Sequence, residues 1–209
     1  MTTSYLAELL SYAQQHSGPA AERQNGFIVT YFDNTDPDEI SARGSATLFA
    51  LANAHWRLLD TPRLMQGVKV RVFNPTLAED GFVSEHTVVQ IVNDNMPVTV
   101  AINRSGRTAH WIVHPLMSVA RDANGRIATV SSAVSVTTGS HQNTVESLIL
   151  VECDRIVSEA EQQALAEDLR RVLGDVRSAV DDWPAMLARV QAVSVASETS
   201  PLSPANRAE

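Results

Sequence analysis

The stretch GFVSEHTVVQIVNDNMPVTVAINRSGRTAHWIVHPLMSVARD, residues 81–122, decides the fold. His86 to Val92 is rich in β-branched residues, which suit a pleated surface, and predicts a strand. It stops at Asn93-Asp94-Asn95, short polar side chains that bond to nearby backbone and favour turns and helix caps. Pro97 is tolerated in a first helical turn because the amide it lacks would be unpaired there. Asn103 to Gly106 closes that short helix, and Thr108 to Val119 runs extended. The order is strand, sharp loop, short helix, strand.

Upstream of this unit Val68, Val70 and Val72 alternate with polar neighbours, a strand with one buried face that Asn74-Pro75 ends. Downstream, Asp122-Ala123-Asn124-Gly125 is a hairpin turn signal with Arg126 to Val136 as the returning strand. Thr137 to Thr144 reads as an exposed loop. Glu146 to Asp154 is a further strand that puts Ile149, Val151 and Cys153 on one side. Ser158 and Glu161 form a capping box for a helix whose stripe is Leu165, Leu169, Val172, Leu173, Val176 and Val180. Asp182-Trp183-Pro184 predicts a restart of that helix, with Asp182 as cap and Pro184 in the new first turn.

The first third is helical. Leu6, Leu9, Leu10 and Ala13 fall at helical spacing over residues 4–15. Ala20 to Phe32 reads as a second helix, although Gly26, Ile28, Val29 and Thr30 leave a strand open. Asn34 to Asp38 is a turn. Leu48, Phe49, Ala52, Trp56 and Leu59 share one helical face over residues 41–59, which Thr61-Pro62 terminates. The expected organisation is a helical segment over 1–66, an α+β domain over 67–193 and a disordered tail or linker over 194–209, where apolar content falls too low to fold. Within 67–193 the order of elements predicts a mainly antiparallel sheet covered by helices on one face.

Composition bounds the function. At 209 residues and 44% hydrophobic content the chain can bury a sizeable core. A net charge of -8 without clustered Lys or Arg argues against a nucleic-acid partner. A single cysteine excludes a disulfide framework. No apolar run approaches the ~20 residues of a membrane span, and the N-terminus has no signal-peptide core. The expectation is a cytoplasmic protein without a membrane partner.

The residues offer little chemistry of their own. No two glycines are spaced G-x-G, so neither a dinucleotide fingerprint nor a P-loop is present. His110 and His114 lie four residues apart on one strand, about 13 Å, too far for one metal to bridge. His86 can approach one of them, but no carboxylate or thiol stands at ligand spacing, and no metal site is expected. Ser84, His86 and Asp94 hold the letters of a hydrolase triad without the G-x-S-x-G elbow. Cys153 reads as a small core residue, and Trp56, Trp111 and Trp183 as core or interface packing. The remaining candidate is the loop Asn93-Asp94-Asn95-Met96-Pro97 at a strand-to-helix junction. Free amides at the helix start would hold a carboxylate, and Asn and Asp an ammonium group, which suits an amino acid.

Five segments carry a resemblance. HTVVQIVNDNMP (86–97), NRSGRTAHWIVHPLMSVARDANG (103–125), VESLILVECDRI (145–156), VLGDVRSAVDDWPAM (172–186) and VRVFNP (70–75) resemble the N-terminal region of the large bacterial NAD-specific glutamate dehydrogenases. The resemblance implies an ACT-like (ferredoxin-like) sandwich that is regulatory and non-catalytic, here as a fragment or truncated product. It implies an amino-acid effector at Asn93, Asp94, Asn95, Met96 and Pro97, and as partner either the rest of the dehydrogenase or a second copy. No catalytic residue or cofactor is expected in this chain, NAD belonging to the catalytic part of the parent enzyme. A free-standing amino-acid sensor acting through homodimerisation is the alternative. One departure stands out: the family continues after Met96-Pro97 with a Phe-Leu-Val-Asp-Ser-like run, whereas Val98-Thr99-Val100 follows here, which shortens the first helix.

Overall fold

The computed structural model describes residues 4–16, 21–62, 67–94, 106–133 and 143–198. The chain begins with α1 (Ser4–His16), α2 (Ala21–Phe32), α3 (Pro37–Ser41) and α4 (Ser45–Asp60). Residues 21–32 are helical, which decides between the two readings of that segment. The single turn of α3 follows Asp36, whose carboxylate accepts the Asp38 amide at 2.9 Å while Pro37 takes the first position.

The sheet follows as β1 (Lys69–Phe73), β2 (Thr87–Asp94), β3 (Ala109–Val113), β4 (Leu116–Arg121), β5 (Ile127–Ser132) and β6 (Asn143–Cys153). Between β1 and β2 lies one unpredicted turn of helix, α5 (Leu77–Asp80), capped by Thr76 and closed by Gly81 at φ 79°. The chain then enters α6 (Glu159–Glu198), where the Glu161 amide donates to Ser158 Oγ as the capping box requires.

The sheet is antiparallel throughout, in the order β1-β2-β6-β4-β5, with β3 paired to β6 alone. Along β6, residues 150–153 pair with β3 and residues 143–147 with β4. The predicted extended run over 108–119 is thus two strands, parted at His114-Pro115. Proline has no amide to donate, and its carbonyl accepts the Leu148 amide at 3.0 Å instead. In the β4–β5 hairpin, Asp122 Oδ1 accepts the amides of Asn124 and Arg126 at 2.8 and 2.9 Å, and Gly125 takes φ 76°.

Helices cover both faces of the sheet, not one. Val88 and Val92 of β2 join Trp111, Val113, Met117, Val119, Leu148 and Leu150 against Phe27, Tyr31, Leu51 and Leu59 of α2 and α4. Val89 and Ile91, with Val70, Ile149, Val151 and Cys153, pack on Leu165, Leu169 and Leu173 of α6. Strand alternation sends successive side chains to opposite faces, so β2 is apolar on both. The periodicity of the first third marks its helices; nothing in it marks that they lie on the sheet.

α6 departs from expectation in two ways. It runs unbroken through Pro184, and it continues to Glu198 where the sequence reading ends the fold at Val193. Trp183 on it is exposed and belongs to neither core. Among the described residues no helix is long and apolar enough to cross a membrane.

Candidate functional site

The candidate loop leaves the C-terminal end of β2, a strand whose first seven residues are all buried. Asn93 is fully buried there, opposite Ser147 of β6, and Asp94 stands opposite Glu146. Asn95, Met96 and Pro97, together with the short helix expected after them, lie outside the described residues. The candidate site is therefore seen at Asn93 and Asp94 and through what surrounds them.

Asp94 is met by a group no sequence spacing marks. The Arg177 guanidinium of α6, 83 residues on, donates to Asp94 Oδ2, and Arg177 Nε lies 3.3 Å from Asp181 Oδ2. The Asp94 hydrogen bond, the largest influence, raises the Arg177 pKa further above its ordinary value. Beneath the pair, Glu146 is buried and held by Arg121 through two contacts of 3.0 Å, Nε to Oε1 and Nη2 to Oε2. Arg121 also donates to the carbonyls of Gly125 and Leu59 at 2.9 and 3.1 Å. These bonds tie β4 to β6, to the turn before β5 and to the end of α4.

Ser147 Oγ lies 2.7 Å from His114 Nε2, and burial holds the His114 imidazole below its ordinary pKa. His114 also lines a cavity of about 430 Å³ with Thr30, Asp33, Leu116 and Val145. Among the described residues the cavity lining includes Asp33 but no Lys or Arg. Asp94 with Arg177 brings a carboxylate and a cation together.

The remaining sequence candidates separate. Asp94 ends β2 about 26 Å along the strand from His86, so Ser84, His86 and Asp94 form no triad. Ser84 Oγ instead accepts the His86 amide at 3.1 Å. His86 does approach His110: the rings stack at 4.2 Å between centroids, and His110 Nε2 lies 2.8 Å from Asp154 Oδ1. The Thr108 amide, first, and His110 hold the Asp154 carboxyl below its ordinary pKa. Among the described residues no group of three His, Cys, Asp or Glu is placed to hold a metal ion. Cys153 is buried in the core, and burial raises its thiol pKa, which suits a packing residue and not a nucleophile.

The model of the family described as "Glutamate dehydrogenase, ACT1 domain" matches residues 27–169. The chain belongs to this ACT1 domain family. The match runs from within α2 to within α6 and takes in the whole sheet, including Asn93 and Asp94. It is to the ACT1 domain of the dehydrogenase and not to its catalytic part. Two proteins named NAD-specific glutamate dehydrogenase are similar to the chain. The one from Pseudomonas aeruginosa is 31% identical over 192 residues, covering 88% of this chain and 12% of that protein. The one from Halomonas elongata is 36% identical over 129 residues, covering 59% of this chain and 8% of that protein. The chain thus spans about an eighth or less of the length of these relatives. No solved structure matches it.

Proposed function

We propose that this ACT1 domain is a non-catalytic regulatory module of an NAD-dependent glutamate dehydrogenase, responding to an amino acid at Asn93–Pro97. The parent reaction is the oxidative deamination of glutamate to 2-oxoglutarate and ammonia, carried by residues elsewhere and acting in the cytoplasm. The observation that carries the reading is the pairing of Asp94 with Arg177 at the mouth of the expected loop, within a chain of this family. The two groups are the complements of an amino acid's ends: Asp94 for the ammonium, Arg177 for the carboxylate. Without ligand they neutralise each other, so a bound amino acid replaces one ion pair with two. Asp94 ends a sheet strand while Arg177 rides on α6, so the ligand would tie helix and strand together.

A thermal-shift screen of the twenty amino acids tests this. A ligand at 100 times its dissociation constant stabilises the fold by ~2.7 kcal/mol. Asp94→Asn and Arg177→Gln should each remove the shift while leaving the sheet's circular dichroism intact. A folded sample that responds to no amino acid refutes the effector reading.

A further inference from the structure

We infer that the cavity between the end of α2 and the corner joining β3 to β4 binds a small organic ammonium, a primary amine on a hydrocarbon body. The cavity holds about 430 Å³, and its lining comes from the end of α2, the β3–β4 corner, the end of β5 and β6. Small-molecule sites usually measure about 300–1,000 Å³ and set a few polar groups in an apolar wall. One part of this lining suits a positive charge. α2 ends at Phe32, and the last carbonyls of a helix form the negative end of its dipole, where a cation is favourable. Yet α2 has no basic residue in its last turn, and Asp33 follows it directly. The Asp33 carboxylate has no hydrogen bond or ion pair among the described residues. Thr30 and Ser132 add hydroxyl oxygens, which can accept. A dipole end, a carboxylate and two hydroxyls match the three N–H donors of an ammonium, whereas an anion would meet the like charge of Asp33.

The rest of the wall selects an organic cation over a bare one. Pro115, Leu116 and Val145 contribute apolar surface to it. Leu116 and Val145 stand on the neighbouring strands β4 and β6 and are 38% and 37% exposed, so the sheet leaves two aliphatic side chains open here. A metal ion would leave that surface in water, and among the described residues no three metal-ligating side chains meet. A hydrocarbon body would cover it. His114, also in the lining, does not oppose a cation. Its Nε2 lies 2.7 Å from Ser147 Oγ, and burial holds its pKa below the ordinary value, so the imidazole is neutral at neutral pH. The cavity lining includes neither Asp94 nor Arg177, so the inference stands apart from the effector reading.

Titration of the full chain at neutral pH, followed by amide and methyl NMR, tests it with three probes of one shape: isopentylamine, isopentanol and isovalerate. Isopentylamine should bind with a Kd of about 1 mM, the ordinary reach of a ligand this small, and shift the signals of Asp33, Leu116 and Val145. Isopentanol, which lacks the charge, should bind at least ~3-fold more weakly, and isovalerate, with the opposite charge, at least ~10-fold more weakly. Asp33→Asn should weaken isopentylamine binding about 3- to 10-fold, by removing the carboxylate. Leu116→Ala should weaken it about 3- to 5-fold, by removing wall surface. Both positions are exposed, so circular dichroism should show each variant folded. A folded chain that does not bind isopentylamine, or that binds isovalerate equally well, overturns the proposal. So does binding indifferent to Asp33→Asn or to Leu116→Ala.

Discussion

His55 has no exposed surface, and both its ring nitrogens are engaged. Nδ1 lies 2.7 Å from Tyr31 Oη and Nε2 3.1 Å from the Ile91 carbonyl. The carbonyl can only accept, so Nε2 carries the proton and Nδ1 accepts from the tyrosine hydroxyl. Burial pushes the His55 pKa down to about 3, and pushes the Tyr31 phenol well above its ordinary value, so both stay neutral. An unfolded histidine titrates near ~6.5. Between these values the unfolded state binds the extra proton, so stability is fully present above pH ~6.5 and falls as pH drops toward about 3. The expected loss is about 1.4 kcal/mol per pH unit between pH ~6 and ~4. Urea unfolding across that range should show a shallower slope in His55→Gln than in the native chain. Glu146 makes a second residue-scale test. It is a buried carboxylate answered by Arg121, so Glu146→Ala should cost about 3–5 kcal/mol by leaving the guanidinium uncompensated. Replacing both residues by Leu and Met should cost less than the sum of the single changes, as a double-mutant cycle would read.

At the scale of the element, α6 poses the clearest question. A proline inside a helix removes one hydrogen bond and crowds the preceding turn, at a cost of ~3 kcal/mol. Asp182 before it has the chemistry of a cap, which is why the sequence predicts a restart there. The helix instead continues, with Pro184 exposed on it. Pro184→Ala should therefore strengthen the helix around it, slowing amide exchange over residues 176–183 by up to ~100-fold. Unchanged exchange there would mean that two helices meet at Asp182. β2 tells a simpler story. Its seven consecutive buried residues leave it no solvent face, so the β-branched run marks both the strand and its place inside the sheet, between β1 and β6.

For the whole molecule, the sheet is the shared wall of two cores. One joins it to the helices of residues 4–60 and the other to the first half of α6. Phe27, Tyr31, Leu51 and Leu59 contact the same cluster as Val88, Trp111 and Leu148, so the helical first third and the sheet should unfold together. The fluorescence of Trp56 and Trp111, which sit in that cluster, should change in one urea transition coincident with far-ultraviolet circular dichroism. Two separated transitions would show that the first helices form a unit of their own. The distal half of α6 lies outside both cores.

What the sequence determined by itself is what depends on near neighbours. Alternation over 68–73, the β-branched run over 86–92, the capping box at Ser158, the Asp122–Gly125 turn and the helical spacing over 4–15 and 41–59 are local patterns, set by residues close in the chain. Short runs such as HTVVQIVNDNMP also carried the family, because they record a whole fold in local words. The tertiary structure alone decided what distant segments do to one another. It put the first helices on the second face of the sheet, brought Arg177 to Asp94 across 83 residues, split the 108–119 run at Pro115 and left Trp183 in solvent. Such contacts depend on which elements share a face, and periodicity says that a stripe is apolar without saying what it meets.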